Sequence, residues 1–446
     1  GLAGISIVRV SGPDSLRIAD HVFRGSQPPP SLRAGGSFIH GFVRGEASEG
    51  AGNDVDEVIL LIYRAPHSYT CEDVVEFQGH GGRNSANRIL EAVLKAGSRL
   101  AEPGEFTKRA FLNGRIDLLQ AEAVADLISA QSERAARAAV EQLEGGLSSY
   151  FRSSYDNLIG VASDLESTLD FVDHELPETA TGDILKRLRE VRTTLERLLA
   201  TWREGHLLRE GALVVIAGKP NVGKSTMLNT LLKKDRAIVT PTPGTTRDTI
   251  EEAFVLGGIP LRLVDTAGLR EADCAIEKEG VARARAMINQ ADIVLFMLDA
   301  SQGMDDSDVQ ALSELNPSRS VVVLNKIDLR AKSVDQTGIS AHRMIPCSLI
   351  LGQGLDSIRE AILDKLGNMA STDAHAVISE RHRQFVQNAL NILNESETML
   401  SGGEEDKTIL AANCVRDAIQ EIGKATGQIY TEELLDRIFS RFCVGK

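Results

Sequence analysis

The chain has 446 residues, of which 42% are apolar and 25% charged, with a formal net charge of −14 at pH 7. That length leaves room for roughly two to four domains with ample core, and the balance is that of a globular protein, not of a disordered or fibrous one. The acidity excludes broad electrostatic attraction to nucleic acid, so any such contact would need a local basic patch or a partner, and no apolar run approaches the ~18 residues of a membrane span.

In chain order, strand-like runs at Ile5–Val10, Glu57–Tyr63 and Val74–Gln78 alternate with turn-rich connections and one short helical stretch, Ala86–Lys95. Gly25–Gly36 (GSQPPPSLRAGG) reads as a loop from its Pro and Gly content. Residues 1–112 are therefore expected to form a compact unit mixing strands and helices. From Asp117 the pattern turns helical. Leu158, Ala162, Leu165, Leu169 and Val172 make one apolar stripe, and Ile184, Leu188, Val191, Leu195 and Leu198 another. Both are helix-packing faces and not binding boxes, with a break expected at Pro177 and Thr179–Gly182.

Gly211–Ala217 (GALVVIA) is a buried-strand run, and Ser225–Leu232 has helical spacing. Between them stands Gly218-Lys-Pro-Asn-Val-Gly-Lys-Ser225. Alone this pattern arises in roughly one chain of this length in a hundred, as a Gly-rich turn with a surface lysine. Joining a strand to a helix, it is a phosphate-binding loop. Its spaced glycines let the backbone N–H groups around Asn221, Val222, Gly223 and Thr226 turn towards a phosphate. Lys224 supplies a point charge to the β/γ oxygens, and the Ser225 hydroxyl a Mg²⁺ ligand.

A strand at Leu261–Val264 runs into Asp265-Thr266-Ala267-Gly268, where Asp265 would hold Mg²⁺ through water and the Gly268 N–H would meet the γ-phosphate. Strands at Ile293–Leu298 and Val321–Leu324 follow, the second delivering Asn325-Lys326-Ile327-Asp328. The Asp328 carboxylate would accept from the ring N–H and exocyclic amine of guanine, donors that adenine lacks. Asn325 is expected to face the guanine carbonyl edge, with the Lys326 stem covering the base. These elements together specify a GTP-binding domain at about 211–369. By spacing, Thr246 is the threonine that closes over the γ-phosphate and completes the Mg²⁺ shell. Leu269 stands where Ras-like enzymes orient water with Gln, so another polar group is expected to serve. Glu271, Asp273, Glu277 and Glu279 are the acids on offer, each equally readable as a solvated residue at a helix start. Helical character resumes at Ser379–Leu400, loops at Ser401–Asp406, and continues to the end. The expected arrangement inserts the GTPase domain into a helical bundle made of 113–210 and 370–446.

The five cysteines (Cys71, Cys274, Cys347, Cys414, Cys443) are spread, odd in number and without a Cys-x-x-Cys pair, which suits a reducing compartment and argues against a zinc site or disulfide framework. The chain opens at Gly1 with neither a basic n-region nor an apolar h-region, so no secretory signal is expected.

Longer strings run through the whole chain: Ile7-Val-Arg-Val-Ser-Gly12, Ser68–Gly82, Glu102–Arg115, Asp117–Glu122 and the terminal Phe442-Cys-Val-Gly-Lys446. With the GTPase motifs they resemble the tRNA-modification GTPase MnmE (TrmE) family. The resemblance implies three parts: an N-terminal α+β domain that dimerises, an all-α helical domain, and an inserted α/β P-loop domain whose parallel-rich sheet is flanked by helices. It implies a homodimer that works with the flavoprotein MnmG (GidA) on the wobble uridine of certain tRNAs. The implied one-carbon source is a tetrahydrofolate derivative (5-formyl- or methylene-type) held by Arg9, Glu76, Arg115 and Lys446. Arg115 keeps the charge of the lysine often found there but changes the donor geometry. The family's G domains pair in a potassium-dependent way. The matching K⁺ ligands are Asn221, Thr240, Thr242 and Thr245, and the water-orienting acid falls on Glu277. Ser348-Leu349 stands where a Ser-Ala pair backs the guanine, and Cys71 where Gly is usual, which questions the backbone angles there. Cys443 lies in the Cys-x-Gly-Lys tail near the folate position, as a nucleophile or a structural thiol. A lipidation reading of that tail fails, because Gly445 is not aliphatic.

The resemblance places the chain in the bacterial cytoplasm first and a mitochondrial matrix second. The competing expectation is a slow regulatory GTPase switch needing an external activator, for example in ribosome assembly. A folate-dependent one-carbon enzyme with an incidental GTPase is weaker, since without the resemblance no reaction attaches to the N-terminal residues.

Overall fold

The computed structural model describes residues 3–45, 54–169, 178–234, 251–265, 285–329, 341–367, 377–402, 405–442 and 444–445. They fall into two compact units, one of Gly1–Ala125, Ser148–Ile159 and Arg416–Lys446, the other of Asp126–Leu147 and Gly160–Val415.

The first unit is built on five strands: β1 (Ile5–Ser11), β2 (Phe23–Gly25), β3 (Ser37–Arg44), β4 (Asp54–Tyr63) and β5 (Val74–His80). All pair antiparallel, in the order β1-β5-β4-β3-β2. Alternation sends Val58, Leu60, Ile62, Val75 and Phe77 to one face, where helices Ser15–Val22 and Arg83–Lys95 cover them with Leu16, Ile18, Ile89 and Val93. The other face keeps Ile5, Ile7, Phe38 and Ile59 exposed, Phe38 at 75%. Strands β2 and β3 were not expected from the sequence. Ser37–Arg44 breaks its apolar run with His40 and Gly41, and the glycine is there for space. A Cβ at Gly41 would lie 2.5 Å from the Phe23 ring and 2.4 Å from the Arg24 carbonyl. A second cluster joins helices Glu105–Leu112 and Glu432–Phe439 through Phe111, Leu118, Leu435, Phe439 and Phe442.

In the second unit, β6 (Ala212–Gly218), β7 (Glu251–Leu256), β8 (Ile259–Asp265), β9 (Ile293–Asp299), β10 (Ser320–Asn325) and β11 (Arg343–Pro346) form one sheet. Its order is β11-β10-β9-β6-β8-β7, parallel except for β7. All seven residues of β9 are buried, as expected of a central strand covered on both faces. One face carries helices Lys224–Lys234 and Leu355–Leu366 through Met227, Leu231, Ile358 and Ile362. The opposite face carries helix Asp306–Ser313 through Leu312. The carboxyl ends of β6, β9 and β10 therefore open on one edge, the place where open α/β sheets bind ligands.

Helix Glu178–Ala200 buries all five residues of its predicted stripe. It packs on helix Glu380–Ser401, where Arg189 and Arg192 both reach the Glu397 carboxylate, at 2.5 and 2.7 Å. Of the first stripe, Leu158, Ala162 and Leu165 are buried; the Leu169 side chain and Val172 lie outside what is described. The break expected at Thr179–Gly182 does not occur. Those residues form the opening of the helix, where threonine and glycine are tolerated because the first turn has few intrahelical bonds to lose. Pro177 lies outside the described residues. No described helix is long and apolar enough to cross a membrane.

Candidate functional site

Strand β6 ends at Gly218, whose φ of 136° and close approach to β9 both demand glycine: a Cβ there would sit 2.4 Å from the Met297 carbonyl. The loop then turns through Asn221, a non-glycine residue at φ 63°, and Gly223 at φ 106°. A Cβ at Gly223 would lie 2.5 Å from Asn325 Nδ2, so this glycine makes room for the base-recognition loop. Lys224 is nearly buried and folded over the loop, donating to the carbonyls of Gly218 (3.1 Å) and Lys219 (2.7 Å). Lys219 points elsewhere, to Asp305 (2.5 Å) and Asp308 (2.8 Å) at the start of the helix after β9. Two lysines five residues apart thus have separate partners: Lys224 the carbonyls of its own loop, Lys219 the acids after β9. Ser225 and Thr226 lie in the first turn of the following helix.

The second half of the site comes from β10. Asn325 was expected at the guanine carbonyl edge; in the structure its buried amide also joins two loops. Its Nδ2 donates to the Val222 carbonyl (2.9 Å), and its Oδ1 accepts the Leu349 N–H (3.2 Å). It therefore fastens the phosphate loop to the 347–349 segment across more than a hundred residues of sequence, which no local pattern could reveal. Lys326, at φ 66°, reaches the Asn221 carbonyl (2.8 Å) and Asp299 Oδ2 (2.6 Å). Asp328 is exposed at the following turn. Burial pushes the Cys347 thiol up to about 12, with the Asp328 charge adding to the effect, so Cys347 is an inert neutral thiol. Ser348 is fully buried, its backbone paired with Gln353. Leu349, which stands where the family has Ala, is buried in the apolar core of the sheet.

Asp265 ends β8, in register with Ile216. Thr240, Thr242, Thr245, Thr246, Thr266, Ala267, Gly268 and the four candidate acids, Glu277 among them, lie outside the described residues.

In the first unit, Arg9 and Glu76 are register partners on β1 and β5, and Arg9 Nε meets Glu76 Oε1 at 2.7 Å. Arg9 also lies 5.3 Å from the ring centres of Tyr69 and Phe106, and Arg115 lies 4.8 Å from that of Tyr69. The structure thus brings Arg9, Glu76 and Arg115 together around Tyr69, an aromatic that sequence reasoning passed over although it stands in the string Ser68-Tyr-Thr. The loop at Cys71 does adopt φ 60°, a conformation that costs a cysteine roughly 1–3 kcal/mol. Neighbours hold it there: Asn113 donates to the Thr70 carbonyl, Arg115 to the Tyr69 carbonyl, and Arg109 to Glu72. Lys446 and Cys443 lie outside the described residues, but Val444 bridges to Pro103. A cavity of about 620 Å³ beside β1 is lined by Arg9, Ser11, Arg99, Arg109 and Val444.

Behind this cavity, hydrogen bonds from Arg99 hold the Glu105 carboxyl down to about 2, against the opposing effect of burial and with further bonds from the Glu102 N–H and Arg109. A depressed folded-state value means stability that is full above about pH 4.5 and lost as pH falls towards 2. Glu105→Gln is expected to destabilise this unit by about 1–2 kcal/mol at pH 7, discounted for the exposed Arg99. In urea melts the gap to the parent should close as pH approaches 2; a gap independent of pH would reject the ion-pair account.

The family model described as GTP-binding protein TrmE N-terminus matches residues 1–115, and that described as MnmE helical domain matches 118–443. A relative from Carboxydothermus hydrogenoformans, named tRNA modification GTPase MnmE, is 42% identical over 456 residues, covering 100% of this chain and 97% of its own length. The protein of that name from Aquifex aeolicus is 38% identical over 446 residues with the same coverage. Among solved structures, the G domain of the T. maritima FeoB iron transporter aligns with 34% of this chain and 98% of its own, at 26% identity and a TM-score of 0.27. With full-length relatives well above 30% identity and both family models in sequence, the chain belongs to the MnmE (TrmE) family.

Proposed function

We propose that this protein hydrolyses GTP in the service of tRNA modification. The observation that carries the reading is the locking of the phosphate loop to the base-recognition loop by Asn325, which sets the phosphate-binding and guanine-binding halves at a fixed spacing. Backbone N–H groups of 221–226 cradle the phosphates, and Lys224 swings from its two carbonyls to the β/γ oxygens. Asp328 and the Lys326 stem hold the base. Mg²⁺ held by Ser225 and Thr246 would neutralise charge between β- and γ-oxygens. Of that pair only Ser225 is described, and its place at the helix start suits a phosphate-side hydroxyl. Potassium would be taken by Asn221, which holds left-handed backbone in the loop, with Thr240, Thr242 and Thr245. Glu277 would orient the attacking water, with the Gly268 N–H on the γ-phosphate.

The remaining parts of the reading follow the family. Residues 1–112 would bind a tetrahydrofolate derivative through Arg9 and Glu76, joined by Arg115 and Lys446 from the flanking helical segments, with Cys443 close by. The stacking of both arginines on Tyr69 suits a planar, carboxylate-bearing ligand. The same unit would form the homodimer, a use for the exposed apolar sheet face of Ile5, Ile7, Phe38 and Ile59. Residues 113–210 and 370–446 would carry the G domain (211–369), with a flavoprotein partner and tRNA as the other components in a bacterial cytoplasm.

Steady-state GTP hydrolysis in potassium against sodium, at matched ionic strength and several protein concentrations, tests this reading. Activation by potassium that grows with protein concentration is expected. Slow, cation-indifferent turnover would favour a switch awaiting an outside activator. Glu277→Ala should lower turnover roughly a hundredfold while leaving GTP affinity within about twofold; unchanged turnover would remove its role.

A further inference from the structure

Among the described residues of the second unit, two that are not glycine hold left-handed backbone, Asn221 (φ 63°) in the phosphate loop and Lys326 (φ 66°) in the base loop. One ammonium group ties them together: Lys326 Nζ lies 2.8 Å from the Asn221 carbonyl. A lysine has a flexible four-carbon stem and cannot fix a loop by itself. Its second anchor is Asp299, the last residue of β9, whose side chain is only 5% exposed and whose Oδ2 is 2.6 Å from Nζ. The other carboxylate oxygen, Oδ1, accepts from the Ser301 N–H (2.9 Å) and hydroxyl (2.6 Å). Asp299 is therefore held on both sides and presents one oxygen to Lys326. Burial would raise its pKa, but the bonds from Lys326 and Ser301 prevail and lower it, so the group is a fixed anion. None of the sequence motifs includes it.

We infer that Asp299 is a positioning residue for the nucleotide site, acting through Lys326 to couple guanine recognition to the placement of Asn221. The ion pair sets the lysine stem where it covers the base, and the lysine in turn holds the Asn221 carbonyl and with it the left-handed turn. Since φ at Asn221 fixes the direction in which its side chain leaves the backbone, a guanine base seated under Lys326 stabilises the same turn that presents Asn221 to a monovalent cation. This rests on the GTPase reading above and adds a residue and a coupling to it.

The test uses the full chain and titrates N-methylanthraniloyl-GDP into the parent, Asp299→Asn, Lys326→Ala and the double variant, with potassium titrations of GTP hydrolysis alongside. Asp299→Asn removes the charge and keeps the shape, so nucleotide affinity should fall about tenfold, as for loss of one charge-assisted bond. Because Asp299 acts through Lys326, the double variant should bind within about twofold of Lys326→Ala. The potassium concentration for half-activation should rise several-fold in Asp299→Asn. Unchanged affinity in Asp299→Asn, or effects that multiply in the double variant, would overturn the inference. Weakened binding with an unshifted potassium requirement would overturn its link to Asn221. A parent chain that binds no guanine nucleotide would instead defeat the GTPase reading itself. If Asp299→Asn does not fold, Ser301→Ala, which loosens Asp299 without touching its charge, should weaken binding about threefold, and no change would count against the inference equally.

Discussion

Lys224→Ala is expected to lower single-turnover GTP hydrolysis by about a thousandfold and to weaken GTP binding at least tenfold. Lys224 is the lysine folded over the loop, while Lys219 is held away by Asp305 and Asp308. Removal of one preorganised charged donor from a phosphoryl-transfer site costs about 10²–10³ in rate, and here the loop suffers too. Lys224 crosses it to the carbonyls of Gly218 and Lys219, so alanine leaves both acceptors without that donor. Rate and affinity should therefore fall together, unlike the pattern for a residue that acts only on the attacking water. Quench-flow hydrolysis and fluorescent-nucleotide binding measure the two. Hydrolysis retained above a tenth of the parent rate would mean that the phosphates lie elsewhere.

Asp328→Asn should move the preference of the site from guanine to xanthine. The turn that carries Asp328 is set from both sides: the Leu329 N–H bonds the Lys326 carbonyl, and the Ile327 N–H bonds that of Cys347. The exposed carboxylate can accept two hydrogen bonds from the guanine ring N–H and amine, a charge-assisted bidentate pair. Asparagine offers one acceptor and one donor. Its donor faces guanine's exocyclic amine without a partner but meets the carbonyl that xanthine has there. GDP affinity should drop on the order of a hundredfold, with a gain for the xanthosine nucleotide in direct competition. Undiminished guanine selectivity would show that the base is read by another group. Because the Cys347 thiol feels the Asp328 charge, removal of that charge should also ease the upward push on it, although burial keeps the thiol neutral at pH 7.

Elements buried on both faces were readable from composition. Strands β6, β9 and β10 are uninterrupted apolar runs because sheet neighbours and helices enclose them. Strand β3 is covered on one face only and carries Gly41 to admit the Phe23 ring, so its pattern did not declare a strand. Thr179–Gly182 looked like a break by local propensity, yet the burial of Ile184 through Leu198 against a neighbouring helix outweighs a few weak residues in a first turn. At Cys71 the left-handed angle is supplied by side chains from residues 109, 113 and 115, which lie about forty positions away in sequence.

The expected chemistry of this protein was legible in short motifs. Consecutive backbone N–H groups suit a phosphate and a four-residue turn suits guanine, so both expectations rest on short contiguous strings read in their strand–helix context. Which polar atoms are engaged within the protein depends on tertiary packing. Placing β9 between β6 and β10 brings Asp299, Lys326 and Asn221 into one chain of contacts and engages the Asn325 amide in holding two loops together. Hydrogen bonds of that kind join residues about 25 to 105 positions apart. They depend on the order of strands in the sheet, which no local stretch of sequence encodes.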